Sequence, residues 1–437
     1  MNRNTAIAQW TVGILAAGQL LASEAQPASA VPITALQAPF DMPQLQRPVF
    51  PDRSFNLTDY GAKADGTTKN TEAFRKAITA CNAAGGGTVV VPRGKWLTGA
   101  VHLKSNVNLQ LEEGAEIHFS DDPKDYLPAV MVRYAGIECM NYSPLFYARD
   151  CTNIAITGRG SVYGHGQKWW QWSKKGTSAE AQTFKRLDQM ISAKVPAAER
   201  LMPTAADEGF RPQFIQPIHC TNVLLEGITV AAPGPFWTVQ FVYCQNIIAR
   251  DLTIRTQGGP NTDGINVDSS RNVLIEDNLI DAGDDCICLK SGRDADGRRV
   301  GCPTENGVVR NCKTLAGHGG VVIGSETGGG LRNVWAHDCD FTGTDIGIRI
   351  KTMRGRGGIV ENLYFQDLTM NRVDYGIHIT MFYHQTPQEP ISERTPTFRN
   401  FRFKNIRLRD CDRSGAKEGI AFGKDVPAET KAKLSAR

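Results

Sequence analysis

Three aspartates occur close together between Asn261 and Lys290, and they stand just before two short apolar runs. Asp263 precedes Gly-Ile-Asn-Val, and the pair Asp284 and Asp285 precedes Cys-Ile-Cys-Leu. The two runs are typical of one strand repeated a turn of a coil later, and stacked coils would make the three carboxylates neighbours. Carboxylates gathered in this way cannot all stay ionised without cost. At least one is expected to have a raised pKa and to hold a proton near neutral pH.

A protonated carboxyl beside an ionised one is the minimum equipment for cleaving a glycosidic bond. One group protonates the leaving oxygen while the other activates water. Two plainer uses of the cluster stay open. Aspartates also supply the hard oxygen ligands of calcium sites, and Asp and Gly shape tight turns without any chemistry.

Basic side chains follow the aspartates on later strands of the same kind. Five aligned apolar positions are expected to point into the core: Ile265, Ile287, Val321, Ile348 and Ile377. Strand alternation then turns four basic side chains outward, namely Lys290, Arg349, Lys351 and His378. His318, between two glycines, comes just before another such run. Exposed cations beside carboxylates suit a substrate that is both a glycan and an acid, although each cation alone could simply keep the strand face solvated.

An asparagine recurs at one place of a strand-turn repeat that begins near residue 106. It precedes an apolar run at Asn153, Asn222, Asn246, Asn272, Asn306, Asn333, Asn362 and Asn400. The steps from 222 to 362 are 24, 26, 34, 27 and 29 residues, with Asn306 as a degenerate member. This period, without a helical pattern, predicts an all-β fold, a single-stranded right-handed parallel β-helix whose coils cover one another. The asparagines are expected to be structural, because Asn tolerates left-handed turns and can bond the turns above and below.

Two segments depart from the repeat. One amphipathic helix is predicted at about residues 71–84, where it would cap the open apolar end of the solenoid. An insertion at about 164–217 contains Trp169, Trp170 and Trp172, and a helix is expected near residues 178–193. The tryptophans could either stack on sugar or anchor the insertion to the solenoid.

Composition and the chain ends narrow the class of protein. Residues 1–30 resemble a secretory signal, and no later stretch approaches the ~20 apolar residues of a membrane helix. The 49 basic and 45 acidic residues are interspersed, which gives nucleic-acid binding no support. The 11 cysteines indicate neither a disulfide scaffold nor a zinc site. We expect a secreted or periplasmic monomer with one catalytic domain over 31–437, in which 412–437 is a loose tail or a capping segment.

Four short motifs, in this order and spacing, resemble the signatures of the polygalacturonases of glycoside hydrolase family 28: Asn261-Thr262-Asp263-Gly264, Gly283-Asp284-Asp285, Gly317-His318-Gly319 and Arg349-Ile350-Lys351. The similarity extends over about residues 55–408. It implies a pectin lyase-like solenoid that hydrolyses α-1,4-galacturonosyl linkages with inversion, with no metal and no cofactor. The partner would be a pectic polysaccharide or a galacturonate oligosaccharide.

The resemblance also implies catalytic roles. Asp284 corresponds to the general acid, so it is the carboxyl expected to carry the proton in mildly acid conditions. Asp263 and Asp285 correspond to the residues that activate water, and His318 matches the histidine that supports the acid.

Substrate binding is implied for a second set of residues. Arg349 and Lys351 match the pair that holds the galacturonate carboxylate, with Lys351 as an exposed cation. Asn261 and Lys290 are expected to contact the substrate as well. Tyr383 lies where the family often has a substrate-contacting tyrosine.

The mode of action has several possible answers. An idle β-helix that binds polysaccharide, a calcium-dependent pectate lyase, and an endo-acting or rhamnogalacturonan-directed hydrolase are the alternatives. An insertion of ~50 residues beside a groove can close one of its ends, which predicts an exo-acting enzyme. Residues 134–147 and 294–301 also resemble bacterial exo-acting members.

Overall fold

The computed structural model describes residues 32–173, 179–203, 209–383, 394–411 and 420–422. By its contacts the chain divides into residues 1–34 and residues 35–437, and every element described below lies in the second unit. These elements form a right-handed parallel β-helix, as the repeat predicts. The expected signal segment and most of 412–437 lie outside the described residues.

Each asparagine of the column lies in the turn that starts a coil. From Asn153 to Asn400 each column member has φ between +54° and +58°. Its side-chain amide donates to the carboxamide oxygen of the asparagine one coil earlier at 2.8–3.2 Å, with Asn106 at the head of the column. Asn306 takes part like the others. The structural role predicted for these residues is therefore confirmed, in both the left-handed turn and the bonding between coils.

The first two strands of each coil form a twenty-stranded sheet. The first strands are β1 (Ser54–Asn56), β3 (Gly87–Val91), β6 (Val107–Leu111), β11 (Thr152–Gly158), β14 (Thr221–Glu226), β17 (Gln245–Arg250), β20 (Arg271–Glu276), β23 (Thr304–Arg310), β26 (Leu331–His337), β29 (Ile359–Asn371) and β31 (Thr397–Arg409). The second strands are β2 (Asp65–Lys69), β4 (Gly94–Thr98), β7 (Ala115–Phe119), β12 (Ser161–Tyr163), β15 (Thr229–Ala232), β18 (Thr253–Arg255), β21 (Leu279–Asp281), β24 (Lys313–Ala316) and β27 (Asp340–Thr342). In the last two coils the long strands β29 and β31 span both positions.

The third strand of each coil belongs to a separate ten-stranded sheet. Its members are β5 (Val101–His102), β10 (Phe146–Arg149), β13 (Ile215–Ile218), β16 (Val239–Val242), β19 (Ile265–Asp268), β22 (Asp285–Lys290), β25 (Gly319–Ile323), β28 (Ile346–Lys351), β30 (Tyr375–Thr380) and β32 (Ile420–Phe422). The five aligned apolar residues predicted to face inward are in direct register and buried: Ile265, Ile287, Val321, Ile348 and Ile377. The opposite face of this sheet is left for polar side chains.

Helix α1 (Thr71–Ala83) covers the N-terminal end of the solenoid against β1, β3 and β6. Its buried stripe contains Ala73, Phe74, Ala77, Ile78 and Cys81. The helix ends before three glycines with positive φ, residues 85–87. Helical spacing in the sequence therefore predicts both the extent of this helix and the face that it buries.

The long insertion leaves the solenoid after β12 and returns at β13. It contains α2 (Ala179–Ser192), which packs with an antiparallel hairpin of β8 (Val130–Tyr134) and β9 (Ile137–Asn141) in a second apolar core. In this core the ring of Tyr134 stacks on Phe210 at 4.1 Å and on Phe236 at 4.4 Å. A third helix, α3 (Asp294–Val300), follows β22. The hairpin and the insertion thus form one packed wall.

The tryptophans at the start of the insertion serve mainly as anchors. Trp169 and Trp172 are buried, and their rings pack against Tyr142 in the main core. Trp170 is half-buried and donates its indole N–H to the carbonyl oxygen of Gly234 at 3.2 Å. Of the two uses open to these side chains, the structure favours attachment of the insertion.

The cysteines pack as small interior hydrophobes. All 11 are free thiols, and ten of them are buried. Cys312 and Cys339 lie six residues after a column asparagine, at the inward position that Ile228, Leu252 and Leu368 occupy in other coils. Across the described ranges, no helix combines the length and apolar character that a membrane span requires.

The asparagine column generates a prediction about stability. Asn272 lies at φ +57°, donates to Asn246 and accepts from Asn306. Asn272→Ala removes both bonds and places an alanine in a left-handed turn, so the free energy of unfolding should fall by roughly 2–4 kcal/mol in urea denaturation. Asn272→Gly is the matched control, because it loses the same bonds without the conformational cost. Equal stability of the alanine variant and the parent protein would show that the column does not hold the coils.

Candidate active site

The aspartates meet on the outer face of the ten-stranded sheet. Pairing of Ile265 with Ile287 places Asp263 beside Asp285, and the backbone N–H of Gly264 donates to the carbonyl oxygen of Asp285 at 2.9 Å. One carboxylate oxygen of each, with the sulfur of Cys288, lies within 4.8 Å of the others. Both side chains are buried. The gathering of carboxylates predicted from the repeat is thus present.

Asp284 stands at the more open edge of this cluster. Its Oδ1 accepts from the backbone N–H of Asp285 at 2.9 Å, and its Oδ2 accepts from the side-chain amide of Asn261 at 3.3 Å. His318 places Nδ1 at 3.3 Å from Oδ1, and about half of the imidazole is exposed. The structure therefore brings together Asp284, Asn261 and His318, as the sequence motifs predict.

Two glycines make this close approach possible. A Cβ on Gly283 would lie 2.3 Å from Oγ1 of Thr262. Gly317, at φ +147°, would place a Cβ 2.7 Å from the carbonyl oxygen of Asp284. That carbonyl accepts from the backbone N–H of His318 at 2.9 Å, so the histidine is held by its backbone as well as by its side chain.

The lysines correct one expectation. Lys351 is only 4% exposed and donates to Oδ2 of Asp285 at 2.7 Å, whereas the sequence predicts an exposed cation. Lys290 is 3% exposed, with Nζ at 3.7 Å from Asp263 and 3.3 Å from Glu326. Strand alternation predicts correctly that both lysines point away from the core of the solenoid. They are nevertheless buried, because other parts of the chain cover them.

Aromatic rings provide part of that cover. The Trp237 ring lies 4.3 Å from Nζ of Lys290, and the Tyr383 ring lies 4.9 Å from Nζ of Lys351. Arg349 is less covered than either lysine. It reaches Oδ1 of Asp285 at 3.4 Å and lies 5.6 Å from the same Tyr383 ring. The family motif thus brings Arg349, Lys351 and Tyr383 into one group beside Asp285.

Protonation of the cluster differs from expectation. Burial, and then the neighbouring charge of Asp284, raise the pKa of Asp263 well above its ordinary value. Burial also opposes ionisation of Asp284, but the His318 hydrogen bond and nearby lysines outweigh it and lower the pKa of that carboxyl. The raised pKa in the cluster is therefore that of Asp263, whereas the sequence predicts a raised pKa for Asp284. The hydrogen bond to Asp284 raises the pKa of His318.

The buried lysines keep their charges. Burial disfavours the ammonium form of Lys351, yet the Asp285 carboxylate raises its pKa. Glu326 has its pKa lowered to about 2, because the charge of Lys290 and then that of Arg356 outweigh the effect of burial. Asp263, Asp285 and Cys288 offer three possible metal-ligand atoms, but the two ammonium groups already lie against these carboxylates. The chain's own cations thus meet the negative charge that would attract a metal ion.

The insertion reaches the cluster through residues that the sequence did not single out. Arg211, buried on the returning segment, donates to Oδ1 of Asn261 at 3.0 Å and forms an ion pair with Glu180 of α2 at 3.2 Å. It also donates to the carbonyl oxygen of Pro260 at 2.9 Å. Spacing within the repeat could not have identified Arg211 or Glu180, since both lie outside it. Glu326 was weakly indicated by the sequence, because it comes shortly after the aligned strand β25.

His378 lies three coils beyond the strand that contains Asp285. It is in register with Arg349, and burial followed by the charge of Arg349 lowers its pKa to about 4. Its imidazole is thus neutral at physiological pH. The side chain belongs to the same outer face but contacts none of the three carboxylates.

A carboxylate cluster that holds a proton, with a histidine at one side and cations at the other, can donate a proton to one oxygen and accept one from water. On a parallel β-helix, this arrangement defines a glycan-cleaving enzyme. Comparison with known proteins agrees with that class. Residues 202–417 match the model of glycosyl hydrolases family 28, and residues 54–116 match that of rhamnogalacturonase A/epimerase, pectate lyase-like.

Individual relatives are similar over most of the chain. A "Probable polygalacturonase" of Vitis vinifera is 31% identical, with 84% of this chain and 71% of the relative covered. An "Exo-poly-alpha-D-galacturonosidase" of Dickeya chrysanthemi is 28% identical, with 81% and 62% covered. The structure of an exopolygalacturonase from Thermotoga maritima superposes with a TM-score of 0.77 at 39% identity, with 83% and 82% covered. The chain belongs to glycoside hydrolase family 28 and is a glycoside hydrolase.

Burial of Lys351 against Asp285 generates a prediction about stability. Lys351→Met leaves the buried carboxylate of Asp285 without its main cation, which should lower the free energy of unfolding by about 3–5 kcal/mol. The matched control is the double variant Lys351→Met with Asp285→Asn, which removes both charges. Urea denaturation should show much of the stability recovered in the double variant, while hydrolysis stays lost. A single variant as stable as the parent protein would show that the ion pair does not stabilise the fold.

Proposed function

We propose that this protein hydrolyses α-1,4-galacturonosyl linkages of polygalacturonate with inversion and releases galacturonic acid from a chain end. The observation that carries the proposal is the carboxylate cluster of Asp263, Asp284 and Asp285 with Arg349 at its side. Carboxylates supply the acid and base of glycoside hydrolysis. A guanidinium beside them would bind the carboxylate that each sugar of a polyuronate carries.

Position within the cluster favours Asp284 as the general acid. It is the aspartate next to the half-exposed His318, so a glycosidic oxygen can approach it from the open side. Against the effect of burial, the hydrogen bond between them lowers the pKa of Asp284 and raises that of His318, which favours the carboxylate and the imidazolium. A substrate that covers the pair removes water from it, which favours the neutral imidazole and carboxyl over the ion pair. The proton then lies on Asp284, where the leaving oxygen needs it.

We assign the activation of water first to Asp285. Its carboxylate is paired with Lys351 and Arg349, whereas burial raises the pKa of Asp263 and so favours its protonated form. Asp263 joins as a base once its proton has left, with Lys290 beside it to stabilise the charge. We assign carboxylate binding mainly to Arg349 with Tyr383 over it, because Lys351 is buried against Asp285.

The packed wall beside the site supports exo action, because it would restrict how far a polymer chain can extend. The insertion, the β8–β9 hairpin and α3 are linked by buried ion pairs, such as Arg200 with Asp296 at 2.8 Å. Arg211 joins this wall to Asn261, which contacts Asp284. A rigid wall this close to the acid leaves room for a chain terminus and little room for a chain that continues past it. The named similarity to exo-acting relatives supports the same proposal.

We also propose that the protein is exported and acts as a monomer. The apolar segment within residues 1–30 supports export to the periplasm or the medium, where a polymeric pectic substrate would be found. A monomer is the simplest assembly, because the catalytic cluster is formed by one chain.

Product analysis over time tests the mode of action. Incubation with polygalacturonate should release monogalacturonate from the first minutes while the viscosity of the polymer falls slowly. Asp284→Asn is the control, because its amide keeps the shape but cannot deliver a proton, and its rate should fall roughly 10²- to 10⁴-fold. A rapid fall in viscosity with a spread of early oligomers would show that the groove is open at both ends.

The pH profile tests the proton on the His318–Asp284 pair. His318 has a raised pKa, so the pair holds its proton below that pKa and loses it as the pH rises through it. The alkaline limb of kcat/KM should therefore lie above pH 6.5, the ordinary value for histidine. In His318→Asn the proton has only a carboxyl to bind, and the limb should move down by roughly two pH units. An unmoved limb would remove His318 from this role.

A further inference from the structure

Charges on the outer face of the twenty-stranded sheet are mostly neutralised between neighbouring coils. Glu276 pairs with Arg250 at 3.2 Å and with Arg310 at 2.7 Å. In the next column, Arg332 pairs with Glu305 at 2.5 Å. Stacking in register makes such pairing easy, since each side chain has a counterpart ~4.8 Å away.

The last coil departs from this pattern. Strand β31 contains five basic residues and no acidic one, and all five are exposed: Arg399, Arg402, Lys404, Arg407 and Arg409. Arg399 pairs with Glu361 at 2.6 Å. Among the described residues no ion pair involves any of the other four. Since the whole chain is only mildly basic, at +4, much of its excess positive charge is concentrated on this strand.

Asp367 is the acidic side chain that Lys404 influences, but it is bonded elsewhere. Its carboxylate accepts from the amides of Asn405 and Gln366 at 2.7 Å each. These two bonds lower its pKa most, and the charges of Lys404 and Arg407 add to the effect. The cations of β31 thus keep their side chains directed to solvent.

Aromatic rings continue the column that Arg402 begins. Trp335, Tyr364 and Arg402 are in register on three successive strands, and the Arg402 guanidinium lies 5.5 Å from the Tyr364 ring. The ring of Phe40, on the segment before β1, lies 6.1 Å from the Tyr364 ring. A groove of about 550 Å³ lies here, lined among others by Gln37, Pro39, Trp335, Tyr364, Arg402 and Lys404.

We propose that this groove, which we call the β31 groove, is a second binding site for an acidic polysaccharide, remote from the catalytic cluster. Its cations match the carboxylates of a polyuronate, and its half-buried rings offer apolar surface for the sugars. The proposal rests on the proposed function, because the polymer it binds is the substrate. A site on another face of the solenoid would hold the long polymer near the enzyme while a chain end enters the catalytic site.

Edge protection is the competing explanation of the same charges. In the described part of the chain no strand pairs with the outer edge of β31, and charged residues on an exposed edge prevent aggregation. That role needs neither a row of aromatic rings nor a complete lack of acidic residues. The register of Trp335 and Tyr364 with Arg402 is the observation that favours a ligand.

Binding is measured on the Asp284→Asn background, so that hydrolysis does not consume the polymer. Arg402→Ala with Lys404→Ala should weaken binding to long polygalacturonate roughly three- to thirtyfold, since each exposed charge contact contributes modestly. The matched control replaces Lys104 and Lys313, two exposed lysines on other coils, and should leave binding unchanged. In the parent background the groove variant should keep its kcat/KM on trigalacturonate and lose activity only on the polymer.

A sugar-specific groove is distinguished from a general anion surface by Tyr364→Ala. This variant should bind polygalacturonate more weakly but polyglutamate as before, whereas loss of the two cations should weaken both. Unchanged polymer binding by the cation variant would overturn the proposal, and so would aggregation of that variant with polymer binding intact. Equal behaviour of Tyr364→Ala and its parent toward polygalacturonate would overturn the carbohydrate assignment. If the parent protein cleaved no polygalacturonate, the proposed function would fail, which is a result separate from these binding measurements.

Discussion

Parallel stacking in register is the constraint on which this structure depends. Each side chain lies ~4.8 Å from the same position of the next coil, so any choice of residue type is multiplied along the solenoid. Asparagines and aliphatic side chains gain from this, because an amide can donate and accept at once and methyl groups pack on methyl groups. Charged side chains do not gain from stacking, because identical charges in register repel. The alternation of acidic and basic residues on the outer columns is the solution that most coils adopt, with Glu276 between two arginines as one example.

The proposed catalytic cluster depends on the same stacking, but there it places like charges together. Register brings Asp263 beside Asp285, and burial raises the energy of both charges. Lys290 on β22 and Lys351 on β28 belong to the same sheet, and their buried ammonium groups balance the charge of these carboxylates. A buried ion pair of this kind adds little net stability over apolar residues, but the loss of one partner is costly. The arrangement therefore holds the carboxyl groups of Asp263 and Asp285 together, with Asp284 next in the chain, while burial raises the pKa of Asp263.

The insertion adds a second packed body to the regular solenoid. Its apolar core around Tyr134 and Phe210 packs α2 against the β8–β9 hairpin. Arg211 connects that body to Asn261 and, through it, to Asp284. The insertion proposed to limit substrate length therefore also bonds a partner of the proposed acid.

Sequence by itself determined the repeat, and with it the fold, the inward residues such as Ile287, the capping helix and the meeting of the three aspartates. These features follow from periodic patterns in which each residue's place is set by local alternation and by its neighbour one coil away. Only the tertiary structure decided that Lys290 and Lys351 are buried, that Asp263 rather than Asp284 has the raised pKa, and that Trp169 is an anchor. Each of these depends on segments outside the repeat or distant along the chain, such as Trp237, Tyr383 and the insertion, whose packing fixes burial. Burial and the sum of nearby charges set a pKa, and neither is encoded in the spacing of one motif.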